Sequence, residues 1–131
     1  MRGLHPPGWQ RPCGYTHGMT GEGRSVFVSG QIGWDAQGRF ASDDIVEQIA
    51  QALRNVVAVL AEAGAGPEHV ARMTWYLTDK QAYLGALAAV GDAYRSVMGR
   101  NYPAMSVIEV ASLLEDRAKV EIEATALVPR A

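Results

Sequence analysis

Apolar positions along this chain of 131 residues change period several times, and each period predicts a different element. From Ile45 to Leu60, apolar residues recur at intervals of three and four, which is the spacing of one helix face. Capping residues occupy 42–44, and two glycines and a proline follow within 64–67. This pattern predicts an amphipathic helix from about residue 45 to about residue 63.

A second helix is predicted from Asp79, a capping residue, to about Met98. Its apolar stripe consists of Leu84, Leu87, Tyr94 and Met98. Gly91 lies inside the stripe, where glycine costs about 1 kcal/mol relative to alanine. We therefore expect a close contact of the helix at this glycine.

Short β-branched or alternating runs predict strands at 25–32, 69–77, 105–110 and 119–127. In the second of these, alternation separates an apolar face from one carrying Val70, Arg72, Thr74 and Tyr76. In the last, the residues expected to meet the helices are Val120, Ile122, Ala124 and Ala126. The side chains of Glu121, Glu123 and Thr125 then point away from the helices.

The order of these elements predicts an α+β fold with a mixed sheet and both helices on one face. Prolines at 6, 7 and 12 indicate an extended arm at residues 1–13, followed by a single domain at 14–131. Gly30 suggests a place where another group approaches the backbone closely. The sheet face away from the helices mixes apolar groups with carboxylates, which favours a surface covered by other subunits.

The composition of the chain argues against several classes of function. Twelve basic and fourteen acidic residues give a net charge of -2 without a basic stripe, so no nucleic-acid partner is expected. A single cysteine, Cys13, excludes an internal disulfide, and no run of signal-peptide or membrane length is present. The three histidines lack metal-ligand spacing, so no metal and no cofactor are expected. We expect a soluble cytoplasmic protein without a membrane partner.

The most informative motifs are YPAMSVIEV at 102–110 and VEIEA at 120–124. Further landmarks occur in order before them: Gly-Tyr at 14–15, SGQIG at 29–33, AQALRNV at 50–56 and LTD at 77–79. Over residues 14–128 the chain resembles the RidA/YjgF family. The resemblance implies a chorismate-mutase-like fold and a homotrimer, with the sheets lining a central barrel and clefts between the subunits. It also implies the hydrolysis of small reactive enamines or imines.

The resemblance further implies a site made of Tyr15, Gly30, Met105, Val107 and Glu121. Met105 stands where deaminating members hold the substrate carboxylate with an arginine, and Val107 stands where they carry a cysteine. Their pocket asparagine aligns near residue 87, which is a leucine here. A thioether offers neither a donor nor a charge, and losing charge-assisted hydrogen bonds costs about 1.5 to 3 kcal/mol. A free 2-imino acid is therefore expected to be a poor substrate.

Alternatives remain open at several positions. Glu121 is either a general acid or base for water attack on a C=N bond or a structural carboxylate. Tyr15 is either a pocket wall or a packing residue, and Met105 is expected to be an apolar lining. A replacement arginine would come from Arg24, Arg39, Arg72, Arg100 or Arg117.

At the level of function, the alternative to a hydrolase is a protein that binds a small molecule without turnover. Ribonuclease activity is sometimes attached to the family. The acidic balance and the lack of interleaved basic and aromatic residues argue against it here.

Overall fold

A four-stranded mixed sheet carries the helices on one of its faces in the computed structural model, which describes residues 1–130. Position 131, the last of the predicted domain, lies outside the described residues. The strands are β1 (Arg2–Leu4), β2 (Gly18–Thr20), β3 (Arg24–Ile32), β4 (Val70–Leu77), β5 (Ala104–Glu109) and β6 (Val120–Val128). The helices are α1 (Ile45–Glu62), α2 (Lys80–Leu84) and α3 (Leu87–Met98), with a 3₁₀ turn at Pro67–His69.

The strand order in the main sheet is β3-β6-β4-β5. Strands β4 and β5 run parallel, whereas β6 is antiparallel to both β3 and β4. Strand β1, within the amino-terminal arm, pairs antiparallel with β2 in a separate two-stranded sheet. The predicted α+β fold with a mixed sheet and helices on one face is confirmed.

Helix α1 supplies the largest part of the core. The Asp44 carboxylate caps it by accepting the Glu47 N–H at 3.0 Å, as is common at helix N-termini. Its buried face lies against the apolar faces of β3 and β6, and its fully enclosed apolar side chains are Ile49, Ala52, Leu53, Val56 and Leu60. The face of β6 predicted to meet the helices is buried, at Val120, Ile122, Ala124 and Ala126.

A buried glutamine ties α1 to two loops. Gln48 is 1% exposed, and its Nε2 donates to the carbonyl oxygens of Ser42 and Arg117, both at 3.0 Å. Its Oε1 accepts the backbone N–H of Lys119 at 2.8 Å. Gly33 packs against the same residue, since a Cβ there would lie 2.8 Å from Cα of Gln48. The end of β3 therefore approaches the helix backbone as closely as glycine permits.

The predicted single helix after Asp79 is wrong in one respect, because the structure divides it into α2 and α3. Asp79 caps α2 as expected, with its Oδ1 accepting the Ala82 N–H at 3.0 Å. The helix ends at Gly85, whose N–H donates to Gln81 O at 2.9 Å. The break leaves Leu84 and Leu87 of the predicted stripe exposed in the single chain.

The predicted alternation in β4 is also wrong at Val70. This residue was placed with Arg72 on the face away from the helices, but it is 3% exposed and belongs to the core. A register shift between Val70 and Arg72 in the pairing with β6 accounts for the difference. A bulge of this kind inserts one residue and reverses the alternation on one side of it.

Candidate functional site

A cavity of about 550 Å³ lies between β5 and the α2–α3 pair. Met105 and Val107 of β5 line it, and Tyr15 from the segment before β2 lies at the same cavity. We call this cavity the Met105 pocket; it is further lined by Trp75, Tyr83, Leu87, Gly91, Tyr94, Arg95 and Tyr102. The structure thus brings three predicted site residues together, and the side chain at position 105 lies in a cavity as an apolar lining.

One wall of the Met105 pocket is aromatic. Tyr94 stacks on Tyr102 with ring centroids 5.6 Å apart, and Trp75 lies 6.3 Å from Tyr94. The Tyr94 hydroxyl donates to the carbonyl oxygen of Asn101, and burial raises the pKa of Tyr94 well above its ordinary value. Tyr94 is therefore a neutral structural residue rather than a source of charge.

Trp75 differs from its aromatic neighbours because its polar group is unused. The side chain is 1% exposed, and Nε1 is the one buried side-chain nitrogen or oxygen without a hydrogen-bond partner within residues 1–130. Buried polar groups are nearly always paired, so this enclosed donor is an exception within the core.

Arg95 brings a positive charge to the pocket, and sequence reasoning missed it. Its Nη2 donates to Asp92 Oδ1 at 2.8 Å. Contact with the Tyr102 hydroxyl, together with Asp92, raises the pKa of Arg95 above its ordinary value, so the guanidinium is always charged. Gly91 gives it room, because a Cβ at that position would lie 3.2 Å from Nη1 of Arg95. The nearest atoms to such a Cβ therefore belong to Arg95 of the same helix, and not to another helix as expected from the sequence.

The arginines considered from sequence lie elsewhere. Arg24 donates to Ala63 O at the end of α1, at 2.8 Å. Arg117 pairs with Asp43 at 2.9 Å and lies over the ring of Phe40. Arg72 lies on the sheet face away from the helices. Neither these residues nor Arg39 and Arg100 line the Met105 pocket.

Gly30 and Glu121 form a second group. Glu121 is half-buried on the face of β6 that points away from the helices. A Cβ at Gly30 would lie 2.6 Å from Cδ of Glu121, so the carboxylate occupies the space a side chain would need. The pairing of β3 with β6 shifts register between Val28 and Gln31, which brings Gly30 to this position. Neither Gly30 nor Glu121 lines the Met105 pocket of the same chain.

The sheet face on which Glu121 lies is uncovered in the single chain. We call it the open sheet face; its central residues are Phe27, Arg72, Tyr76, Ile108 and Glu123. Phe27 is 76% exposed and Ile108 is 45% exposed. Glu123 accepts a hydrogen bond from the Tyr76 hydroxyl at 2.9 Å, which raises the pKa of Tyr76. Glu123 therefore has a structural partner.

Within residues 1–130, no group of three or more His, Cys, Asp or Glu side chains is arranged to hold a metal ion. In the same part of the chain, none of the helices has the length and apolar character needed to cross a membrane.

Comparisons with known proteins agree with the fold and the motifs. A family model described as Endoribonuclease L-PSP matches residues 10–128. A RutC family protein of Pyrococcus abyssi is 36% identical over 105 residues, which is 79% of each chain. A 2-iminobutanoate/2-iminopropanoate deaminase of Capra hircus is 34% identical over 79% of this chain and 73% of its own. A solved Rid-family structure from Yersinia pestis superposes with a TM-score of 0.86 at 31% identity, covering 97% of this chain and 98% of that one.

Proposed function

Because this chain belongs to the RidA/YjgF family, we propose that it forms a homotrimer whose intersubunit clefts hydrolyse small reactive enamines or imines. The proposal rests on one observation: the predicted site residues lie at two separate places on the single chain. Tyr15, Met105 and Val107 share one cavity, while the Glu121 carboxylate lies against Gly30 on another part of the surface. A site that needs both groups is completed when a second copy brings its Glu121 to the pocket.

In the proposed reaction, Glu121 positions a water molecule and takes its proton as the water attacks the carbon of a C=N bond, whose π electrons move to the nitrogen. Glu121 returns the proton to that nitrogen, and the C–N bond then breaks to release ammonia or an amine and leave a carbonyl product. Tyr15, Met105 and Val107 form the apolar wall that holds the substrate. The relative from Capra hircus, a named imine deaminase, supports the reaction class. Met105 has no donor for a carboxylate, so the proposed substrate does not depend on a carboxylate held at position 105.

The proposed homotrimer is supported by the open sheet face. A phenylalanine that is 76% exposed, on a sheet face that also exposes Ile108, is unfavourable in water and suits a subunit interface. Phe27→Glu should therefore give monomers in sedimentation velocity and abolish imine hydrolysis. Leu114→Glu, at a leucine that is 96% exposed in a loop, is the matched control and should leave both unchanged. Trimers that persist in the Phe27 variant would contradict this interface.

The catalytic role is tested by Glu121→Gln, with Glu123→Gln as the control. Both residues lie on β6 and on the same face, but only the Glu123 carboxylate accepts the bond from Tyr76. We expect Glu121→Gln to lower kcat toward a panel of imines at least a hundredfold, and Glu123→Gln to change it less than threefold. Full turnover by the Glu121 variant, or none by the natural protein across the panel, would refute the hydrolase.

The second candidate is a protein that binds a small molecule in the same cleft without turning it over. Met105 and Val107 favour it, because both replace residues used in the deaminating reaction. A ligand that co-purifies in the cleft, together with no turnover by the natural protein, would establish this function instead.

A further inference from the structure

The Tyr15 side chain, one wall of the Met105 pocket, is not enclosed by the core. It is 38% exposed, and it borders a second cavity of about 510 Å³ on the amino-terminal arm as well as the Met105 pocket. The backbone beside it is fixed, because the N–H of Thr16 donates to Pro103 O at 3.0 Å and its hydroxyl donates to Tyr102 O at 2.6 Å. These bonds hold the chain next to β5 but do not set the direction of the Tyr15 ring.

The imidazole of His17 is the group that meets this ring. The rings of Tyr15 and His17 lie edge to face, with centroids 5.7 Å apart. Trp9 meets His17 edge to face at 5.1 Å, and His5 stacks on it at 5.5 Å. We call these four residues the His17 cluster. Edge-to-face and stacked pairs are both favourable, so one imidazole links the pocket wall to two residues of the arm.

The register of β1 and β2 brings the two histidines together. Leu4 is the last residue of β1 and lies opposite Gly18, the first residue of β2. The next pair in this antiparallel register is His5 with His17. Side chains directly opposite each other on neighbouring strands are close enough to interact, so the stack follows from the strand pairing.

A turn brings the tryptophan of the arm back to the same ring. The Trp9 N–H donates to Pro6 O at 3.3 Å, which closes a turn over residues 6–9. A proline is second in this turn and Gly8 is third, with a φ of 85° that favours glycine. This is the residue preference of a type II turn. The prolines of the arm thus direct Trp9 toward His17.

We infer that His17 is a positioning residue, which holds Tyr15 in the wall of the Met105 pocket, and that the arm is thereby part of the site. His17 lines the second cavity and not the Met105 pocket, so its effect on a substrate passes through Tyr15. The inference deepens the proposed function, and it rests on that function for the claim that the pocket turns over imines.

The first test is the kinetics of the full-length protein with N-benzylidenemethylamine, an imine without a carboxylate. One aromatic pair is worth up to about a tenfold change in an equilibrium, so His17→Ala should raise KM about five- to tenfold. Its kcat should stay within about twofold, because Glu121 is untouched. His17→Phe keeps the ring contacts and should restore KM, since the imidazole bond to Gln10 O is long, at 3.5 Å. An unchanged KM in His17→Ala, or no rescue by phenylalanine, would overturn the inference.

Urea unfolding distinguishes positioning from a general loss of stability. All four residues of the His17 cluster are exposed, so His17→Ala opens no cavity in the core and should keep the natural midpoint. A joint fall of the midpoint and of kcat would contradict positioning. The matched control is Phe40→Ala, because Phe40 also forms an aromatic pair, with Trp34 at 5.9 Å, but lines neither cavity. The control should leave KM within about twofold.

Hydrogen exchange tests the same contact without turnover. The amide of Thr16 lies between Tyr15 and His17 in the chain, and its exchange rate reports local opening of this segment. His17→Ala should speed the exchange by up to about tenfold, and His17→Phe should restore the natural rate. Equal rates in His17→Ala and the natural protein would overturn the inference. If the natural protein hydrolyses no imine, the proposed function fails, and this comparison still decides whether His17 holds the segment.

Discussion

Alanine should have different effects at two neighbouring glycines: Gly33→Ala should lower stability, whereas Gly30→Ala should lower turnover. Gly30 and Gly33 both have backbone angles that alanine tolerates, so only the space around each decides the result. A Cβ at Gly33 would lie 2.6 Å from Cβ and 2.8 Å from Cα of Gln48. These atoms belong to α1 and cannot rotate away. A Cβ at Gly30 would meet the carboxyl end of the Glu121 side chain, which can rotate away.

The magnitudes follow from these contacts. At Gly33 the strand and the helix must separate by about 1 Å, which costs roughly 1 to 3 kcal/mol of overpacking. Lengthening one of the hydrogen bonds of Gln48 adds about 1 kcal/mol. Gly33→Ala should therefore lower the free energy of unfolding by about 2 to 4 kcal/mol. At Gly30 a rotamer change of about 0.5 to 1.5 kcal/mol offsets the gain of about 0.5 to 1 kcal/mol from replacing glycine.

Urea unfolding at a fixed protomer concentration and imine hydrolysis together separate the two effects. Gly30→Ala should unfold within about 1 kcal/mol of the natural protein but lose roughly a hundredfold in turnover, since a displacement of about 1 Å at a reacting group has that effect. If Gly33→Ala proves as stable as the natural protein, the close approach of β3 and α1 is wrong. Unchanged turnover by Gly30→Ala would mean that this glycine does not position Glu121.

Three further changes have defined outcomes. Met105→Arg should raise turnover of amino-acid-derived imines at least tenfold, and no gain in kcat/KM would show that the cleft also differs in shape. Gln48→Leu should lower the free energy of unfolding by about 3 kcal/mol in urea titrations, because it leaves the Lys119 N–H and two carbonyl groups without their buried partner. Asp44→Ala should lower it by about 1 kcal/mol by removing the cap of α1, whereas Asp43→Ala is expected to change it less.

Hydrophobic periodicity predicted most of the helices and strands of the main sheet layer, because most of them bury a single face. The stripe of α1 and the alternation of β6 each matched the buried side chains. The division between α2 and α3 was not predicted, because the predicted helix contains two glycines, Gly85 and Gly91, and only Gly85 ends a helix. Val70 was misplaced because a bulge changes which residues face the core without changing the residue types.

Arg95 and the unpaired indole of Trp75 were not predicted from the sequence, and the reason again lies in the local residue pattern. Arg95 follows a buried tyrosine on an amphipathic helix, a position where a solvent-exposed arginine is ordinary. The available signal was Gly91, because side chains four apart on a helix are neighbours and a glycine creates space for the later one. The unpaired indole of Trp75 had no signal, since its type and alternation both indicate a core residue.

These findings limit what the relatives imply about the ligand. A fold carries many chemistries, and the ligand is decided by the groups in the cavity rather than by the family. Here position 105 on β5 is a methionine, while α3 provides the Arg95 guanidinium to the same cavity. Because a thioether at position 105 offers no donor, the 2-imino acids named for some relatives are not expected to be the best substrates of this chain.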